Sequence, residues 1–200
     1  MSKTCAILLP AAGASSRMRG ADKLLQQVGG MALLTCVARR ALQVTPHVAV
    51  SLRAEDEARK QALDGLPVAF LQITDAAEGM SASLRAGARW AMALDAQAVM
   101  IALPDMPDIT AQDMRDLFAA QAQEPQRPLR ACAADKQPGH PVILPRALFP
   151  AMLKLRGDEG AKLLLRSPSP HLHPLPGQRA VTDLDTPEDW DAWRKDQPPS

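Results

Sequence analysis

Two rhythms of apolar and polar positions alternate along the first 120 residues. Thr4 to Leu9 reads as a continuous apolar run of strand length, the pattern of a parallel strand covered on both faces. Met31 to Val44 carries Leu33, Leu34, Val37, Ala38, Ala41 and Leu42 on one stripe, with Arg39 and Arg40 off it, which is helical spacing. His47 to Leu52 predicts a second strand, Glu55 to Leu63 a charged surface helix, and Pro67 to Leu71 a third strand. A helix carrying Leu84, Ala88, Ala91 and Met92 comes next, then an apolar strand over Ala98 to Leu103 and a helix running to Phe118. Such alternation of strand and helix predicts a three-layer α/β/α architecture around a mostly parallel sheet.

After the polar connection Gln121 to Pro128 the rhythm changes. Leu129 to Ala134 and Pro141 to Leu144 predict two antiparallel strands about a turn at Asp135 to Gly139, set at one edge or side of the sheet. Arg146 to Leu155 reads as a helix, with a further short one through Leu165. His171 and His173 share one face of a possible strand and have no third ligand beside them. Thr186 or Asp185 followed by Pro187 is a strong helix start. The expected organisation is one domain over residues 1–195, with a frayed tail at 196–200.

Composition narrows the function classes. A net charge of +1 gives no electrostatic case for nucleic acid or an anionic membrane, and 3% aromatic residues with no Tyr leave little to stack bases on. No apolar run approaches the length of a membrane span. Cys5, Cys36 and Cys132 lie far apart without C-x-x-C spacing, so buried thiols in a reducing cytoplasm are the expectation. Partners should be small molecules.

The chemistry concentrates after the first strand. Ala11, Ala12, Gly13, Ala14, Ser15 and Ser16 form a loop of small residues, followed by Arg17, Gly20 and Lys23. Small side chains let consecutive backbone N–H groups approach an anion, and the cations that follow neutralise it. This is neither a Walker A loop nor a dinucleotide G-x-G-x-x-G. Gly79, Ser81 and Ser83 stand at a second loop-to-helix junction, where donors and the positive dipole end face the loops. Asp105 follows a buried strand and is flanked by Pro104 and Pro107, where open α/β sheets bind ligands; it is the first candidate for a Mg²⁺ ligand. A helix cap would use the same residue type, and Asp108 or Thr110 could serve the next helix.

The run Ala11-Ala12-Gly13-Ala14-Ser15-Ser16-Arg17-Met18-Arg19-Gly20-Ala21-Asp22-Lys23 resembles the signature of the molybdopterin-type nucleotidyltransferases, and within them the molybdenum cofactor cytidylyltransferases. It departs from that signature at Pro10, where Leu is common, and at Arg19, which intervenes before Gly20. Gly79-Met80-Ser81-Ala82-Ser83-Leu84 is similar to the family's nucleotide-site segment, Leu103 to Pro107 to its metal-holding turn, and Asp183 to Asp189 to its Asp-x-Asp-Thr-Pro-Glu-Asp. Gly139-His140-Pro141 and the turn containing Asp158 resemble acceptor-side segments.

The resemblance implies a Rossmann-like nucleotidyltransferase fold and transfer of CMP from CTP to the terminal phosphate of molybdenum-bound molybdopterin, with release of pyrophosphate. It implies catalytic roles for Arg17, Lys23 and Asp105, and nucleotide binding by Ala11, Ala12, Gly13, Ala14, Ser15, Lys23, Gly79, Ser81 and Ser83. Mg²⁺, for which Mn²⁺ could substitute, would sit on Asp105 with Asp183 or Asp185, and Gly139, His140 and Asp158 would border the acceptor. A molybdoenzyme would receive the product. The same fold could instead pair GTP with molybdopterin or CTP with a sugar or polyol phosphate, and a non-catalytic molybdopterin carrier is the alternative of a different class.

Overall fold

In the computed structural model, residues 4–75, 78–157, 164–166 and 169–196 are described. The strands of the main sheet are β1 (Cys5–Pro10), β4 (Val48–Arg53), β5 (Ala69–Ile73), β6 (Ala98–Ile101), β7 (Leu129–Cys132), β8 (Pro138–Pro145) and β9 (His171–Pro174), and β2 (Gln27–Val28) with β3 (Met31–Ala32) forms a separate small hairpin. The seven strands lie in the order β5-β4-β1-β6-β8-β7-β9. All neighbours are parallel except that β8 runs antiparallel to both β6 and β7. The antiparallel pairings thus lie at one side of the sheet, as the change of rhythm predicts, and β9 continues the sheet beyond them.

Helices α1 (Leu33–Leu42), α2 (Glu57–Ala62), α3 (Met80–Ala93), α4 (Ala111–Gln121), α5 (Phe149–Met152) and α6 (Pro187–Asp196) flank the sheet. The strand period of two sorts side chains between two cores. Ile7, Leu9 and Met100 point to the side covered by Leu34 and Val37 of α1, Met114 and Leu117 of α4 and Trp190 of α6. Ala6, Leu8, Val99 and Ile101 point to the other, against Leu84 and Ala88 of α3 and Phe149 and Met152 of α5. This is why these strands read as unbroken apolar runs. The α3 contact is close: a Cβ on Gly87 would stand 2.4 Å from Leu8 Cδ2.

Several boundaries differ from the sequence reading. The helix predicted from Met31 starts at Leu33, because Met31 and Ala32 pair with Val28 and Gln27 across a Gly29-Gly30 turn with φ of +56° and +79°, a two-glycine hairpin. The predicted helix from Arg146 to Leu155 is a 3₁₀ turn, Arg146–Leu148, followed by the short α5 with Pro150 in its first turn. β8 begins at Pro138, inside the expected turn. No helix among the described residues is long and apolar enough to cross a membrane.

Candidate functional site

The loops at the carboxyl ends of β1, β4 and β6 meet on one edge of the sheet. β1 ends at Pro10, and its pairing continues one residue further, where Ala11 N–H donates to Ser51 O at 3.0 Å. Beyond it the small-residue loop turns through a short 3₁₀ segment, Ser16–Met18, and enters a second one, Lys23–Leu25, whose N-cap is Asp22. Asp22 accepts from Leu24 N–H at 3.0 Å and from Ser15 Oγ–H at 3.1 Å, and Ser15 Oγ in turn accepts from Lys23 N–H at 3.2 Å. These bonds fold the loop back so that the Lys23 side chain projects across the sheet edge.

Arg59, on the helix read as a surface element, is the residue that sequence reasoning missed. Its side chain is only 3% exposed. The guanidinium grips Asp22 through Nε at 2.6 Å and Nη2 at 3.0 Å, reaches Ser15 Oγ at 3.3 Å, and donates through Nη1 to the carbonyls of Ala11 at 2.5 Å and Gly13 at 2.9 Å. In a trans peptide the N–H lies opposite the C=O. Holding the Ala11 and Gly13 carbonyls on the Arg59 side therefore turns the N–H groups of Ala12 and Ala14 the other way. Neither N–H has a backbone partner among the described residues. A charged residue among polar ones on a short helix carries no pattern that would single it out.

On the open side of this loop lies a cleft of about 170 Å³ lined by Ala11, Ala12, Gly13, Ala14, Lys23, Gly79, Met80, Ser83, Pro104 and Asp105, among others. Gly79 precedes α3 with φ of +62° and ψ of −145°, a conformation only glycine adopts readily. Ser83 lines the cleft, and its Oγ accepts from Ser51 Oγ–H at 2.9 Å. Ser81 does not line it: its side chain is fully buried and its Oγ has no partner among the described residues. Ser15 is engaged inside the loop rather than toward the cleft.

The cleft's floor is charged. Lys23 Nζ donates to Asp105 Oδ2 and, at 2.6 Å, to Asp185 Oδ1, and all three side chains are largely buried. Burial opposes the charged amine, but the charge and hydrogen bond of Asp105, then those of Asp185, outweigh it and raise the Lys23 pKa. Arg17 bonds the second oxygen of Asp185, and Arg19 pairs with Glu188 at 2.5 Å. Two arginines of the loop thus clasp the start of α6.

Neither carboxylate of the pair is a cap. Thr110 caps α4 in a reciprocal box with Asp113, while Asp108 accepts from Trp193 Nε1–H at 2.9 Å. At α6, Thr186 Oγ1 accepts from Asp189 N–H at 3.2 Å, and Asp189 Oδ2 accepts from Thr186 N–H at 2.8 Å. That box satisfies the helix start and leaves Asp185 pointing at Lys23. Leu184 N–H donates to Asp105 O at 3.0 Å, which ties the two acidic segments together. Asp183, on the other side of buried Leu184, is exposed, and desolvation followed by the charges of Asp185 and Asp105 raises its pKa.

Asp105 Oδ1 is buried and has no hydrogen-bond partner among the described residues. Such an atom is costly unless something binds it. Among the described residues no three His, Cys, Asp or Glu side chains converge on one point. Mg²⁺ commonly takes one or two carboxylates and completes its shell with water and substrate phosphates; Asp105 and Asp185, already sharing one cation, match that donor set.

Residues 6–174 match the MobA-like NTP transferase domain. The chain belongs to this family. It is 27% identical to the purine catabolism protein PucB of Bacillus subtilis (strain 168), over 92% of this chain and 93% of that protein. The crystal structure of Rv0371c from Mycobacterium tuberculosis H37Rv superposes with a TM-score of 0.79 at 23% identity, covering 98% of this chain and all of that one; the same protein has also been solved in complex with manganese. CMP:2-keto-3-deoxy-manno-octonic acid synthetase complexed with CTP has a TM-score of 0.74 at 17% identity, over 97% and 98% of the two chains. Membership of the NTP transferase family makes this chain a nucleotidyltransferase, and the solved structures share its fold.

Of the acceptor-side residues, Gly139 is buried, and a Cβ there would come within 1.7 Å of Ala180 O. That segment crosses the start of β8, where His140 N–H donates to Ala180 O at 2.8 Å. His140 is held neutral, its pKa lowered to about 4 by burial first and then by Arg130, against the opposing influence of Asp105 and the Ile101 backbone. Asp158 lies outside the described residues.

Proposed function

We propose that this nucleotidyltransferase transfers CMP from CTP to the terminal phosphate of molybdenum-bound molybdopterin, releasing pyrophosphate and forming a cytosine dinucleotide cofactor that a molybdoenzyme receives. The observation that carries the reading is the Lys23 ammonium bridging Asp105 and Asp185 beneath the Ala12 and Ala14 amides. An anion-binding loop faces a carboxylate pair across a single cation, as metal-dependent transfer from a triphosphate requires. The Ala-Ala-Gly loop, and a fold shared with a synthetase complexed with CTP, support the cytidine choice.

An acceptor phosphate is already an anion at neutral pH, so no general base is needed. The barrier lies in bringing two anions together and stabilising charge on the departing pyrophosphate. The Ala12 and Ala14 amides, with Arg17 and Lys23, would hold the phosphates, and Arg59 would fix the amides' direction from behind. Asp105 and Asp185 would hold Mg²⁺, or Mn²⁺ in its place; the bound metal supplies charge neutralisation and orientation of phosphate oxygens.

Pyrophosphate release with each of the four nucleoside triphosphates tests this, with and without molybdenum-loaded molybdopterin and with sugar or polyol phosphates as controls. Release that needs both CTP and the molybdenum cofactor is expected. Preference for GTP, or for a polyol phosphate, would reassign the substrate, and binding without any release would make the protein a carrier.

A further inference from the structure

The cleft has two backbone walls, and Arg59 holds only the one after β1. The other is the chain entering α3, where Gly79 and Met80 line the cleft. α3 as a body is seated on β1 by Gly87, which leaves no room for a Cβ against Leu8. The residues ahead of it are placed differently. Thr74, Asp75 and Glu78, between β5 and α3, are exposed, so burial of their side chains does not hold this wall.

Arg85 does. It stands on the second turn of α3, outside the segment that resembles the family's nucleotide site, and its side chain reaches back over the helix start. Nη2 donates to Asp75 Oδ2, and Nη1 donates at 2.7 Å both to Glu78 Oε2 and to Leu155 O. The guanidinium is only 14% exposed, against 50% for Asp75 and 48% for Glu78. The Leu155 side chain is buried in the same core as Leu84 and Ala88 of α3, so its carbonyl is a fixed point. Arg85 is thus anchored on the core side and grips the two exposed carboxylates from there. Ion pairs that are exposed throughout contribute little, but freeing these carboxylates would strand a largely buried cation, which is costly.

The grip acts on the cleft through Gly79. Glu78 N–H donates to Asp75 O at 2.9 Å, so the two carboxylates belong to one turn, and Gly79 follows it directly with φ of +62° and ψ of −145°. A glycine by itself populates many conformations. Fixing its neighbours, Glu78 by Arg85 and Met80 by the helix, selects one. The pairing also offsets two negative charges beside a wall that must admit a polyanion.

We propose that Arg85 is a positioning residue for nucleotide binding: it holds Asp75 and Glu78 so that the Gly79 backbone is set toward the cleft, the counterpart of Arg59 behind the loop after β1. This rests on the nucleotidyl-transfer reading of the site.

Two measurements test it. Hydrogen exchange of the Glu78 amide reports the turn without any ligand; Arg85→Gln should speed it by about 10-fold, the scale of a lost hydrogen bond to a charged group, and unchanged exchange would overturn the positioning. In CTP titrations without acceptor, Arg85→Gln should raise the Kd by about 10-fold, and in steady-state transfer it should raise the KM for CTP more than it lowers kcat. Arg85→Lys keeps the charge but cannot reach all three partners, so it should fall between Arg85→Gln and the wild type, and it carries the test alone if Arg85→Gln does not fold. An arginine that only supports the fold would lower the unfolding temperature and leave the CTP affinity of the folded variant unchanged, and that result would overturn the proposal. A wild-type protein with a protected Glu78 amide that binds none of the four nucleoside triphosphates would instead sink the nucleotide reading itself, and the role of Arg85 with it.

Discussion

In the proposed transfer Lys23 and Asp105 would carry opposite halves of the same task, and their variants should fail differently. Lys23→Ala removes the cation from under the loop; triphosphate affinity should fall by about 10- to 100-fold, the scale of a lost charge-assisted contact, while thermal unfolding stays cooperative. Isothermal titration with CTP checks this, and unchanged affinity in a folded variant would remove Lys23 from the triphosphate site. Asp105→Asn keeps size and most hydrogen bonding, so it should fold and bind CTP yet lose most turnover, with partial recovery at high Mn²⁺ or Mg²⁺. His140 gives a prediction in pH. Its folded pKa, about 4, lies below the ordinary 6.5, so the unfolded chain takes up the proton first and stability falls as pH drops from 6.5 through 4. The loss amounts to about 3 kcal/mol at most. Urea unfolding of wild type and His140→Gln at pH 7 and pH 4.5 would reveal it as a pH-dependent difference between the two; parallel curves at both pH values would contradict it. Arg17 and Lys23 stand out in the sequence because a plain turn has no use for them, whereas Asp105, a residue type that any cap would use, stands out only through the resemblance of its turn. The choice between Asp183 and Asp185 was not, since neighbours two apart in an irregular segment share no fixed facing, and it took the Thr186–Asp189 cap to direct Asp185 inward.

Two helices hold the site's side chains in place. The start of α6 does two things at once: its capping box satisfies the first turn, and it holds Asp185 against Lys23 and Arg17. Thr186→Ala should therefore cost about 1 kcal/mol of stability and lower kcat more than it weakens CTP binding; a stability loss with kcat intact would separate the cap from the site. α2 acts from behind the loop through Arg59. Arg59→Lys retains charge but cannot reach Asp22, Ser15 and two carbonyls together, so it should weaken CTP binding, and equal affinity would show that the loop holds its shape unaided. The helical stripes of α1 and α3 and the apolar runs of β1 and β6 were readable because burial on a repeating face imposes a period. The β2–β3 hairpin and the broken helix after Arg146 were not, being two to four residues long and governed by Gly29-Gly30 and Pro150 rather than by a period.

At the scale of the molecule, one sheet edge collects what the chain separates: strand order sets the loop after β1 beside Asp105 after β6, and the Leu184 N–H bond to Asp105 O brings Asp185 to them across some 160 residues of sequence. The alternating first half made the layered fold legible. The second half was less so, because β8 runs against its neighbours on both sides and only pairing, not composition, says where such a strand inserts. We propose that cytidylyl transfer to a molybdopterin phosphate takes place at the Lys23, Asp105 and Asp185 cluster. The most direct test is single-turnover transfer of label from CTP carrying phosphorus-32 at the α-phosphate, comparing the wild-type protein with Asp105→Asn. Label should enter the molybdenum cofactor with the wild type and be almost absent with Asp105→Asn at equal CTP occupancy; no labelled cofactor from the wild type, or equal labelling by both proteins, would contradict the claim.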